Sequence, residues 1–213
     1  MQPVFAEIIT IGEELLIGQT IDTNSAWLGQ QLNLIGIKVT RITSVPDTGE
    51  GIKNALKNVY PDTSVVLITG GLGPTKDDIT KQTLCEFFDT DLILNDDILE
   101  DVKRIILPKY GRLNEHNIKQ AHVPKNAELI RNPRGTAPVL VFSKKNTLFL
   151  SMPGVPHEMK YLMVNFVIPK LKTDFSTPQI IHKNILISGI GESFLSEKLT
   201  AWEQQLPANI RLA

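Results

Sequence analysis

The run Val65-Val-Leu-Ile-Thr-Gly-Gly-Leu-Gly-Pro-Thr-Lys-Asp-Asp-Ile-Thr80 restricts this chain to a narrow set of folds. Val65 to Thr69 is short, β-branched and apolar, the pattern of a buried strand. Gly70 and Gly71 stop it and permit the positive φ of a sharp turn; Gly73 and Pro74 prolong that turn. Ile79, Thr83, Leu84 and Phe87 then recur at helical spacing, so a helix is expected from about Thr80. Strand, glycine turn and helix together aim free backbone N–H groups at an anion. Lys76, Asp77 and Asp78 fall in the same turn. A phosphate-sized cradle beside adjacent carboxylates points to a phosphorylated substrate handled with a metal ion. The alternative is a structural turn in which Asp77 or Asp78 caps the helix. The common nucleotide motifs do not fit. Lys76 stands where a dinucleotide fingerprint needs glycine, and it is followed by Asp77 rather than the Ser or Thr of a Walker loop.

The chain of 213 residues suffices for one sizeable domain and part of another. A net charge of −1 gives no electrostatic footprint for nucleic acid or an anionic membrane. No apolar run approaches the ~18 residues of a membrane helix, and the start lacks a signal-peptide pattern. The single cysteine, Cys85, excludes an internal disulfide and reads as a core residue beside Phe87 and Phe88. A cytoplasmic protein is expected.

Taken in order, Val4 to Ile11 is a strand ending at Gly12, followed by an acidic loop with Glu13. Asp22, Thr23, Asn24 and Ser25 offer helix caps before a helix closed by Gly36. Lys38 to Val45 is a second strand stopped by Pro46, and Ile52, Leu56 and Val59 mark the next helix. Carboxylates therefore stand at successive strand-to-helix junctions: Glu13 with Asp22, then Asp47, then Asp77 with Asp78. Asp22, Asp47, Asp77 and Asp78 each also admit a reading as a cap or turn residue. On neighbouring parallel strands they would share one sheet edge, where mutual repulsion calls for a cation. Leu92 to Leu94 and a helix capped by Asn95 or Asp96 follow, with Pro108 expected to end that helix. Residues 112–121 form a short helix. His116 and His122 do not have a zinc spacing and read as surface or cap residues. Val139–Phe142 and Thr147–Ser151 form a hairpin. The turn Met152–Met159 leads into another helix, with Pro156 in its first turn and Glu158 favouring the helix dipole. That turn reads either as helix initiation or as a substrate contact.

Lys170 to Pro178 reads as a boundary, giving domains 1–171 and 172–213. Beyond it, Ile180 to Ile187 is expected as a strand, and Gly189-Ile-Gly-Glu-Ser193 as the lead into a helix. The fold class is α/β: a three-layer α/β/α sandwich on a mostly parallel sheet, plus a partial second domain.

Several motifs resemble the CinA (competence/damage-inducible protein) family. Gly70-Gly-Leu-Gly-Pro-Thr-Lys-Asp-Asp-Ile-Thr80 is similar to its glycine-loop signature. Gly12-Glu-Glu-Leu15, Gly18 and Asp22-Thr-Asn24-Ser25 resemble its opening. Val45-Pro-Asp47, Lys119-Gln-Ala121, Asn132, Gly135-Thr-Ala-Pro138 and Met152-Pro-Gly-Val-Pro-x-Glu-Met159 follow in the family's order. Val139 and Glu13 depart from it, where glycine and aspartate are frequent. The resemblance implies a molybdopterin-binding-like domain of the MogA and MoeA superfamily and a metal-dependent ADP-ribose pyrophosphatase. It also implies that the chain stops inside a middle domain, without the nicotinamide mononucleotide deamidase domain of longer members.

On this reading Asp47, Asp77, Asp78 and Lys76 are catalytic, and Asp47, Asp78 and Asp22 bind metal. The substrate lies on Gly70, Gly71, Gly73, Pro74, Thr75 and Thr80, with Glu13, Asn24, Gly135, Pro153 and Gly154 around it. Oxygen ligands suit cobalt, magnesium or manganese, with potassium as a further candidate. The expected partners are a nucleotide or pterin phosphate and further copies of the chain, as a homodimer or homotrimer, with no nucleic acid and no membrane. Two alternatives are a non-catalytic molybdopterin- or nucleotide-binding module and a pterin adenylyl transferase.

Overall fold

The computed structural model of the protein describes residues 3–73, 79–178, 180–207 and 209–212. The chain forms two compact units, Met1–Ile180 and Ile181–Ala213.

In the first unit β1 (Val4–Ile11) leads through a short α1 (Glu13–Leu16) to α2 (Thr23–Leu34). Then come β2 (Ile37–Val45), α3 (Gly49–Lys57), β3 (Thr63–Thr69) and α4 (Thr80–Phe88). β4 (Leu92–Leu94), α5 (Asp96–Tyr110), α6 (Glu115–Gln120) and β5 (His122–Pro124) follow. β6 (Glu128–Ile130), β7 (Val139–Lys144) and β8 (Thr147–Met152) come next. α7 (Pro156–Leu162) continues through a π-helical turn, Met163–Val167, into α8 (Ile168–Asp174).

Six strands make one sheet in the order β2-β1-β3-β8-β7-β6. β2, β1, β3 and β8 run parallel; β7 lies antiparallel to β8, and β6, antiparallel to β7, again runs with the other four. β4 and β5 form a separate antiparallel pair. Both faces of the large sheet are buried, which explains the nearly unbroken apolar run of the central strands. Alternate residues divide between two cores. Ile8, Leu67, Leu150 and Met152 pack with Leu28 and Leu32 of α2 and with Met159, Met163 and Leu171. Ile9, Ile68, Leu140 and Phe149 pack with Ile52 of α3, Leu84 of α4 and Ile98 of α5. The result is the expected three-layer α/β/α sandwich.

The chain moves outward from β1 to β2, then returns across β1 to reach β3. Right-handed crossovers in opposite directions put their helices on opposite faces, as α2 and α3 show. A crevice therefore opens between the carboxyl ends of β1 and β3, the place where such sheets bind ligands.

Three local expectations are corrected. Pro108 does not end its helix: α5 runs on to Tyr110 and stops at Gly111, which takes φ 70° and donates to Leu107 O at 2.8 Å. A proline near a C-terminus sacrifices one backbone bond but does not force termination there. Lys170 to Asp174 is helix rather than a break: Leu171 is fully buried, and Lys170 pairs with Glu128 at 3.3 Å and Asp174 at 3.5 Å. The charged run is the outer face of an amphipathic turn. Ile180 to Ile187 forms no strand; a strand exists only where a neighbour takes its backbone bonds, and the described residues supply none. The second unit contains, among its described residues, one helix, α9 (Glu192–Glu203).

Candidate active site

The parallel arrangement brings the turns after β1, β2, β3 and β8 to one sheet edge. A cleft of about 530 Å³ opens there, lined by Gly12, Glu14, Asp47, Gly70, Gly71 and Gly73 together with Gln120, Thr136, Pro153, Gly154 and Glu158.

Its floor requires glycine. Gly70 has φ 113°, and an added Cβ would lie 2.2 Å from Ile11 O. Gly71 has φ 64°, and a Cβ there would lie 2.1 Å from Thr80 Oγ1. No side chain fits either position without displacing its neighbours. Gly70, Gly71 and Gly73 all line the cleft, while the space a Cβ would take at Gly70 and Gly71 is filled by Ile11 and Thr80. Thr80 is fully buried and its hydroxyl lies 3.5 Å from Gly70 O, so it supports the turn from beneath. Pro74, Thr75, Lys76, Asp77 and Asp78, expected in the same turn, lie outside the described residues.

The Pro153–Gly154 turn is held against this floor. Thr69 Oγ1 donates to Pro153 O at 3.0 Å, and Asn24 Nδ2 donates to Gly154 O at 2.8 Å. A Cβ on Gly154 would come within 3.2 Å of Gly70 Cα, so the two turns touch through glycine. Asn24 thus braces this turn and lines a smaller adjoining cavity rather than the cleft itself. Its Oδ1 is buried without a hydrogen-bond partner among the described residues.

The carboxylates separate by role. Asp47 lines the cleft, and its Oδ2 accepts from Glu13 N at 3.0 Å, fastening the turn after β2 to the start of α1. Glu13 contributes that backbone bond, while the neighbouring Glu14 supplies the cleft-lining carboxylate. Asp22 caps α2, accepting from Ser25 N at 2.9 Å. It lies in an adjoining cavity of about 220 Å³ that shares Glu14, Gly70 and Gly154 with the cleft. Among the described residues no three His, Cys, Asp or Glu side chains are close enough to hold a metal ion.

The far wall was less visible in sequence. Gly135 packs directly on Glu158: a Cβ would lie 1.8 Å from its Oε2. Asn132, almost fully buried, donates from Nδ2 to Glu158 Oε2 at 2.7 Å and to Ala137 O at 3.1 Å. Behind this loop Arg131 and Arg104 bind Asp101, and the Arg131 hydrogen bond holds the Asp101 carboxyl below its usual range. Arg104 also donates to Pro133 O at 3.3 Å. Gln120 is placed by Lys81, whose buried ammonium donates to Gln120 O at 2.7 Å and His122 O at 3.2 Å. Glu158, Gln120 and Thr136 are not named as site residues from the sequence, although each falls within a motif that carries the family resemblance, and Gly135 beside them is expected at the site. Cys85 is buried, and burial pushes its thiol up, as suits a core residue.

A model of the family described as "Probable molybdopterin binding domain" matches residues 7–173. A CinA-like protein of Flavobacterium psychrophilum is 49% identical over 98% of this chain and 50% of its own length. The crystal structure of CinA from Thermoplasma acidophilum is 33% identical, covers 81% of this chain and 98% of its own, and superposes with a TM-score of 0.70. This chain belongs to the CinA family. Its fold is that of the MogA and MoaB proteins: the tungsten cofactor synthesizing protein MoaB from Pyrococcus furiosus is 17% identical with a TM-score of 0.52, covering 81% of this chain and 98% of its own. The CinA-family chain spans about half the length of the curated relatives it matches. No helix among its described residues is long and apolar enough to cross a membrane.

Proposed function

We propose that the cleft binds a phosphorylated nucleotide or pterin and hydrolyses a pyrophosphate bond, with ADP-ribose as substrate and AMP and ribose 5-phosphate as products. The observation that carries this reading is the side-chain-free turn at Gly70 and Gly71, set at the crevice between β1 and β3 and facing a cleft rimmed by Asp47. Backbone at that corner can approach a phosphate as no side-chain-bearing turn could. Asp47 is fixed at the rim by the Glu13 amide, which keeps its carboxylate from swinging away. Asp47 offers an oxygen donor that would suit a divalent cobalt, magnesium or manganese ion, and Asp77 and Asp78 are the further donors that the sequence suggests. Such an ion, when bound, would supply charge neutralisation at the phosphates and a more acidic water. The chain's own contribution is to orient the pyrophosphate against Gly70 and Gly71 and to fence the site with the Pro153–Gly154 turn.

The test is release of AMP from ADP-ribose with each metal, for the wild type and for Asp47→Ala and Asp78→Ala. The reading expects metal-dependent turnover that both variants lose while still folding. Unchanged turnover in either variant would sink it. A second reading, binding without hydrolysis, draws on the family model's description as a molybdopterin binding domain. Saturable pterin or ADP-ribose binding with no AMP release would establish it instead.

A further inference from the structure

The far wall of the cleft holds a carboxylate that the phosphate chemistry does not use. Glu158 stands in the first turn of α7 and faces the cleft beside Thr136 and Gln120. Its Oε2 is committed: Asn132 Nδ2 donates to it at 2.7 Å, and Gly135 abuts it so closely that a Cβ would lie 1.8 Å away. Asn132 is itself 2% exposed and anchored to Ala137 O and to the Arg134 amide. The carboxylate is thereby pinned at Oε2, while Oε1 accepts no hydrogen bond among the described residues of this cleft-lining side chain. A fixed charged acceptor costs little reorganisation when a donor arrives, and hydrogen bonds to a charged group are the stronger kind. With one oxygen covered, a planar two-donor edge, which needs both oxygens side by side, fits poorly. Adjacent hydroxyls, each able to rotate its proton toward a single oxygen, fit well.

We propose that Glu158, positioned by Asn132 and Gly135, is the acceptor for the vicinal diol of a ribose, and so selects ribonucleotides among phosphate-bearing ligands of this cleft. This deepens the reading of the cleft as a nucleotide site and rests on it. The test removes phosphate, so that failure of the phosphate corner and failure of the diol subsite are distinguishable. Binding of adenosine and of 2′,3′-dideoxyadenosine to the full chain is measured by titration calorimetry, with inorganic pyrophosphate as a separate probe of the Gly70 corner. The wild type is expected to prefer adenosine by about tenfold or more, the ratio a charge-assisted hydrogen bond gives. In Glu158→Gln the amide oxygen turns to the Asn132 donor and its NH₂ faces the cleft, so the preference falls to near unity. Gly135→Ala displaces an unaltered Glu158 and produces the same loss; thermal melting confirms that each variant is folded. Pyrophosphate binding is retained in both. Equal affinity of the wild type for the two nucleosides, absence of adenosine binding, or a preference that survives in both folded variants would overturn the proposal. Loss of pyrophosphate binding alone would count against the Gly70 corner, while the adenosine preference would still support the diol subsite.

Discussion

The two ends of the central sheet treat their carboxylates in opposite ways. Near the amino ends, Glu7 of β1 is 2% exposed and saturated. Its Oε1 accepts from Tyr60 N at 2.7 Å and Thr63 Oγ1 at 2.8 Å, and its Oε2 from Arg41 Nε at 2.7 Å. Arg41 in turn covers the Tyr60 ring at 4.1 Å and donates to Asn58 O. At the carboxyl ends, Glu14, Asp47 and Glu158 all line one cleft, and Glu158 is gripped by Asn132 at Oε2 alone. A charge fully consumed by its neighbours is architecture. A charge pinned on one side and facing a cavity on the other is available to a ligand.

The strongest way to break this contrast is Glu7→Ala. It leaves Arg41 partly buried without its partner, and should cost about 3–5 kcal/mol of stability while leaving the cleft's affinity for pyrophosphate unchanged in the folded fraction. Denaturant melts with parallel binding titrations measure both. Gly70→Ala comes next. Placing a Cβ at φ 113° against Ile11 O should cost about 1–3 kcal/mol in backbone strain and abolish pyrophosphate binding. Retained binding would contradict the role of bare backbone.

Asp101→Asn sharpens the same contrast through pH. The Arg131 hydrogen bond lowers the Asp101 pKa in the folded protein, so its stabilisation is complete above the unfolded value of about 4 and is lost as pH falls through the lower folded value. Melting midpoints of the wild type should therefore drop through that acid window, and Asp101→Asn should flatten this part of the drop. An unchanged acid slope would remove Asp101 from the account. The smallest stability effect belongs to Asp47→Ala. It loses the bond to the Glu13 amide and should cost about 1 kcal/mol or less, yet eliminate metal-dependent turnover of ADP-ribose.

What the sequence showed of this architecture follows from where the determinants are local. Val4–Ile11 and Val65–Thr69 are legible because both faces are buried, leaving uninterrupted apolar runs. The Gly70–Gly71 turn is legible because its φ values allow almost nothing but glycine. Asp22 and Asn95 are readable as caps from the residues that follow them, whereas the cap of α3 is Thr48 and not the neighbouring Asp47. Pairing, by contrast, is not written in a segment. Ile180–Ile187 has strand-like composition without a neighbour among the described residues, whereas the three residues Glu128–Ile130, which carry no strand signal of their own, become a strand because β7 lies beside them. The far wall is hidden for the same reason. Glu158 meets Asn132 across 26 positions of sequence, and only the fold makes the two a unit.

Titration of the full chain with ADP-ribose, followed by backbone amide chemical shifts, tests the central claim most directly. The account predicts saturable shifts concentrated at Gly12, Gly70, Gly71, Asp47 and Gly154. Shifts centred instead on the separate cavity lined by Cys85, Asp89 and Leu92, or none at saturating ligand, would contradict it.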